Sequence, residues 1–161
     1  MKRIFLIVAL IATVFVKTGL AQTNQKQSLL TSYYDIKNEL TNSDATAAAA
    51  KSGNFLKVIG SIDAKSFSAA EMKVFKEYQD KLTFDARHMS ESKDIAHQRE
   101  HFASFSANFS KLAKTIKLTD QTVYYDYCPM NKTYWLSAEK EIKNPYYGKQ
   151  MMDCGKVVST L

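Results

Sequence analysis

Residues 68–118 read SAAEMKVFKEYQDKLTFDARHMSESKDIAHQREHFASFSANFSKLAKTIKL, and this stretch decides the fold. It holds no proline, so nothing in it forbids long helices. Met72, Phe75, Tyr78, Leu82, Ala86 and Met89 recur at three- and four-residue steps, the period of one helix face. Ser66 or Ser68 opens that helix. The polar break Ser92–Asp94 ends it and starts another, whose face carries Ile95, Phe102, Phe105, Phe109, Leu112 and Ile116. Lys111, Lys114 and Lys117 fall in its last turns, where cations meet the negative end of the helix dipole.

Two more helices are expected upstream. Leu29, Leu30, Tyr33, Ile36, Lys37 and Leu40 form a mostly apolar stripe, broken by Thr41-Asn42-Ser43-Asp44. Ser43 or Asp44 can cap a helix through the four-alanine run, burying Phe55, Val58 and Ile59 and ending by Gly60. Four amphipathic helices with short links predict an all-α fold, an up-and-down four-helix bundle.

After Leu118 the composition changes. Six of the nine Tyr, the single Trp, both Cys, both Pro and three of the six Met lie in the last third of the chain. Val123 to Tyr127 reads as a short strand or extended segment, and Ser137 to Ile142 as one or two helical turns. Asn144-Pro145 starts a turn. So aromatic a segment is expected to pack on the bundle, partly extended, with Trp135, Tyr146 and Tyr147 across Phe102, Phe105 and Phe109. That packing would carry Cys128 and Cys154 into proximity.

The N-terminus has the form of an export signal. Lys2 and Arg3 precede the apolar run Ile4–Val16, and small residues follow at Gly19 and Ala21. Thirteen residues span about 20 Å as a helix, short of the ~30 Å hydrocarbon core, so cleavage near Ala21 is expected rather than anchoring. The reading is a signal peptide over 1–21 and one domain over 22–161, periplasmic or secreted and not membrane-embedded. The whole chain has 161 residues and a formal charge of +6. Without residues 1–21 it keeps 19 cationic against 16 acidic side chains, a net +3, which is no nucleic-acid footprint.

Cys128-Pro129-Met130 and Met151-Met152-Asp153-Cys154 hold five of the eight sulfur-bearing side chains within 27 residues. Thiolates and thioethers are soft donors that select Cu(I) and similar ions over magnesium or calcium. Two cysteines in an exported chain equally suit a disulfide, worth roughly 3–4 kcal/mol for such a loop in the chain-entropy picture. His97 and His101 are four apart, the spacing of a helical two-His metal site, but no Glu sits between them as in a zincin. The polar surroundings read His88, His97 and His101 as exposed or capping residues, with His88 able to approach the sulfur residues if the tail folds back. No nucleophile elbow, phosphate-binding loop or Cys-x-x-Cys pair is present, so no enzyme is expected.

Tyr127-Cys128-Pro129-Met130, Trp135-Leu136-Ser137, Glu141-Ile142-Lys143-Asn144-Pro145-Tyr146-Tyr147-Gly148, Met151 and Cys154-Gly155 resemble the family called domain of unknown function (DUF) 3347. Upstream, Tyr33-Tyr34, Lys93-Asp94-Ile95, Gln98-Arg99, Phe102 and Ser106 fit the same pattern, so the resemblance spans about residues 30–158. Related domains occur as exported bacterial proteins and at the ends of periplasmic adaptor subunits of copper/silver efflux pumps. The resemblance therefore implies an exported helical module that handles heavy metal. Its metal set would be Cys128, Met130, Met151 and Cys154, with His88 added, and its partner an efflux system or other envelope protein. Tyr127 stands where several efflux-linked relatives carry His, which removes one ligand. The function expected is binding of a soft metal, Cu(I), as a periplasmic carrier or efflux accessory. The rival is a disulfide-stapled, metal-free interaction module.

Overall fold

The computed structural model describes residues 25–161. The expected signal peptide lies outside the described residues. Helix α1 runs from the first of them to residue 42, followed by α2 (Ala45–Gly60), α3 (Ala69–Glu91) and α4 (Ile95–Thr115). Each later helix starts where a short polar side chain satisfies free amides. Asp44 accepts from the Ala47 amide and Asp94 from the Ala96 amide. Ser68 and Glu71 form a reciprocal capping box at the head of α3.

The helices pack in sequence order as neighbours. Lys51 of α2 pairs with Asp35 of α1 at 3.2 Å. Helix α2 packs on α3, and α3 on α4. Tyr33 closes the bundle from α1 by stacking on Phe109 and Phe105 of α4, with ring centroids 4.5 and 5.7 Å away. Phe55 of α2 meets Phe105 edge-on at 4.8 Å. Among the described residues, no helix is long and apolar enough to cross a membrane.

The all-α expectation is corrected in the last third. Strands β1 (Tyr124–Cys128), β2 (Thr133–Ser137) and β3 (Lys156–Thr160) form an antiparallel sheet in the order β2-β1-β3. Strand β1 lies within a residue of its expected place. The helical turns expected over Ser137–Ile142 are absent: Ser137 ends β2 and the chain bends after it. There the Ser137 hydroxyl oxygen accepts from the Glu139 amide, a local bond that turns the backbone away from a helix. Strand β3 pairs with β1 across about 30 residues, a long-range partnership that no local pattern announces.

The sheet is fastened to the bundle by polar contacts as well as rings. The Leu136 amide, on the side of β2 away from β1, donates to the Tyr33 hydroxyl at 3.0 Å. Tyr33 in turn lies 2.6 Å from Ser106 Oγ, which donates to the Tyr134 carbonyl at 2.9 Å. Burial raises the Tyr33 phenol well above its ordinary range, so it stays a donor. An edge amide that would otherwise invite another strand is thereby paired inside the molecule. Tyr33→Phe keeps the ring stacking but leaves the Leu136 amide unpaired. It is expected to cost about 1–3 kcal/mol, read as a lower urea midpoint with an unchanged slope.

The Asn144–Gly148 turn docks on the opposite corner. Arg99 donates to the carbonyls of Pro145 (2.9 Å) and Leu40 (3.0 Å) and to Ser43 Oγ, tying α4 to the α1–α2 link and to the turn. Gly148 has φ +53°, and a Cβ there would collide with Ser43 Oγ and the Arg99 guanidinium. Only glycine fits this approach. The Phe-rich receiving face is corrected in part. Phe102 meets Tyr146 at 5.7 Å, whereas Phe105 and Phe109 are taken up by Tyr33 and Phe55 inside the bundle.

Candidate metal centres

Cys128 ends β1 and is fully buried, and Cys154 is half-buried in the turn that leads into β3. The two thiols are free, and Cys128 lies near enough to Cys154 to act on its thiol. Asn144 holds this arrangement. Its Nδ2 donates to the Cys154 carbonyl at 2.6 Å, and its Oδ1 accepts from the Tyr146 amide at 2.8 Å. Its backbone amide donates to the Met152 carbonyl at 2.8 Å. Gly155 passes so close to Trp135 that a Cβ would stand 2.8 Å from the indole, so the strand entering after Cys154 lies directly on the Trp ring. Burial first, and then the adjoining Cys128 sulfur, push the Cys154 thiol above its ordinary value.

The two thioethers of the expected set lie on turns close in sequence to these cysteines. Met130 is 64% exposed at the β1–β2 turn, and Met151 is 36% exposed. The Cys154 amide donates to the Met151 carbonyl at 3.2 Å, closing the turn that separates those two sulfur residues. A buried thiol, a half-buried thiol near it and exposed thioethers on turns close in sequence are all soft donors.

His88 is placed elsewhere. It stands in the last turn of α3, and its ring stacks on His101 at 4.5 Å and lies tilted against Phe84 at 4.4 Å. His97 lies 4.7 Å from His101 and 6.3 Å from His88, centroid to centroid. One nitrogen from each of the three rings falls within 4.8 Å of the others. Asp85, buried one turn before His88, sits with Oδ1 3.0 Å from His101 Nδ1. On α4 these histidines face α3, while Phe102 and Ser106 on another face meet the C-terminal segment. Among the described residues the ring contacts of His88 are with Phe84, His97 and His101, and none is with Cys128, Met130, Met151 or Cys154. The structure thus brings Cys128 and Cys154 together and gathers His88 with His97 and His101. The i, i+4 spacing of His97 and His101 was the legible half of that cluster. Asp85 carried no sequence signal beyond its distance from the α3–α4 link, which equals that of His101 on the other side.

Fold and side chains together define a helical bundle with a small docked sheet, a group of three histidines and a pair of neighbouring cysteines. The chain belongs to the DUF3347 family, described as protein of unknown function, whose profile matches residues 29–121. That match takes in α1 from Leu29 onward, the other three helices and all three histidines, and it ends before the first strand. Cys128, Met130, Met151 and Cys154 therefore lie beyond it, so the C-terminal string that suggested the family is not the part that matches. No curated protein and no solved structure matches the chain.

Proposed function

We propose that this protein is an exported soft-metal carrier that holds Cu(I) between the thiolates of Cys128 and Cys154. It acts in the periplasm as a carrier or efflux accessory rather than as a catalyst. One observation carries the reading: two thiols 26 residues apart in sequence lie near each other, one shielded and one partly exposed. Two thiolates suffice for a soft ion of low coordination number, and Met130 and Met151 add thioethers. His88 takes no part in this set.

Because the Cys154 thiol is raised, it is protonated at neutral pH and a metal ion must displace that proton. Ligation by both thiolates releases two protons, so Cu(I) affinity is expected to fall about a hundredfold per pH unit as pH drops from 8 to 6. A competition titration of reduced protein against a chromophoric Cu(I) chelator measures this. Binding no tighter than in the Cys128→Ser/Cys154→Ser variant, or an affinity flat with pH, contradicts the proposal.

The same thiol proximity favours a second reading, a disulfide that staples β1 to the turn before β3 and leaves a metal-free interaction module. It predicts no free thiol in protein purified without reductant, and a melting temperature that falls on reduction and ignores copper. Counting thiols before and after reduction separates the two.

A further inference from the structure

The histidine cluster has no role in the thiol proposal, and its geometry carries one of its own. Three imidazoles from two helices converge with one nitrogen each inside 4.8 Å. Donors bound at 2.0–2.1 Å in a tetrahedral site stand about 3.3 Å apart, so side-chain adjustments of roughly an ångström close the cluster on an ion. Imidazole suits borderline ions such as Zn(II), Cu(II) and Ni(II), where the sulfur cluster suits Cu(I).

Two further features fit a ligand site better than a chance grouping. Asp85 is 5% exposed on the bundle side of the cluster, and its carboxylate faces Nδ1 of His101. That contact fixes the ring so that Nε2 is left for a ligand, the arrangement of carboxylate–histidine–metal triads. On the solvent side Phe84 lies against both His88 and His101, at 4.4 and 6.0 Å, and is itself 58% exposed. A large exposed ring over two imidazoles gives the cluster an apolar lip that limits water on one side. The α3–α4 link is three residues long, Asp94 caps α4, and Gln98 donates to the Met89 and Ser92 carbonyls at the end of α3, so His88 and His97 sit on firmly placed backbone.

We propose that His88, His97 and His101 form a three-imidazole site for a borderline divalent ion, with Asp85 positioning His101 and the fourth coordination place open to solvent or an exchanging ligand. The site is independent of the Cys128–Cys154 pair and shares no residue with it.

The test is Zn(II) binding to the reduced full chain, followed by two-bond proton–nitrogen correlation of the histidine rings and by competition with a chromophoric zinc chelator. One equivalent of Zn(II) is expected to shift one ring nitrogen of each of the three histidines, with His101 protonated at Nδ1. His97→Ala is expected to weaken that binding at least about 100-fold while leaving Cu(I) affinity at the thiols unchanged. His88→Gln, which keeps a neutral polar group on the surface, gives a second variant if His97→Ala disturbs the helix. Asp85→Asn is expected to weaken Zn(II) about 10- to 100-fold and to shift the His101 ring away from its fixed tautomer. Zn(II) binding that leaves the histidine signals unmoved, or an affinity in His97→Ala and His88→Gln equal to that of the parent, overturns the proposal. Because thiol-bound Cu(I) is measured alongside, failure of this site and failure of the thiol site give different results.

Discussion

Trp135→Ala is expected to lower the unfolding free energy by about 3 kcal/mol and to weaken Cu(I) binding, although Trp135 offers no ligand. The indole is fully buried on β2, the edge strand that faces the bundle. It meets Tyr146 edge-on at 6.1 Å and carries the close approach of Gly155. Removing a buried aromatic typically costs 3–5 kcal/mol through lost transfer energy and the cavity left behind. The buried indole nitrogen has no hydrogen-bond partner among the described residues, a cost the variant escapes, which sets the expectation at the lower end. The strand after Cys154 rests on that ring, so a cavity there loosens the spacing of the two thiols. Urea unfolding and the Cu(I) competition titration check both parts. An unchanged midpoint means that the sheet is not held by this packing.

The second large effect is a dependence on pH. Asp126 lies fully buried on β1, and neither carboxylate oxygen has a hydrogen-bond partner among the described residues. Burial pushes its pKa up to about 7, partly opposed by the Lys37 ammonium of α1. Lys37 is itself lowered by burial and sustained by Glu139, while the Tyr34 hydroxyl, raised by burial and by Asp126, faces the same group. A carboxyl that binds its proton more tightly folded than unfolded contributes stability that is fully present below about pH 4. That stability is lost as the pH rises through 7. The full shift is worth roughly 4 kcal/mol at about 1.4 kcal/mol per unit, and solvent relaxation around the charged form reduces it to about 1–3 kcal/mol. Asp126→Asn is therefore expected to match the parent near pH 4 and to exceed it by that amount at pH 8. Equal stability gains at both pH values would show that the carboxylate is not the source.

What the sequence made legible follows from how local each signal is. Asp44, Ser68 and Asp94 announce three helix starts within a few residues of each apolar stripe, and the structure places the caps on them. Strand β3 was not legible, because Lys156–Thr160 gains its partner only when β1 folds beside it. The lysine and glutamate spacing over Ser137–Lys143 imitates a helix, yet Lys143 bridges Glu139 and Glu141 on a bent chain. Phe105 and Phe109 misled for a related reason. Periodicity marks them as core without saying which neighbour covers them, and Tyr33 reaches them first. The meeting of Cys128 and Cys154 was readable because aromatic residues and turn formers between them demand a compact segment. The histidine cluster needed the packing of α3 on α4, which brings His88 beside a pair that the sequence displayed on its own.

The most direct test of the central claim is X-ray absorption at the copper edge of the reduced protein loaded with one equivalent of Cu(I). The account predicts a shell dominated by sulfur that is lost in the Cys128→Ser/Cys154→Ser variant and untouched by His97→Ala. A shell of nitrogen alone, or one that survives loss of both thiols, would contradict it.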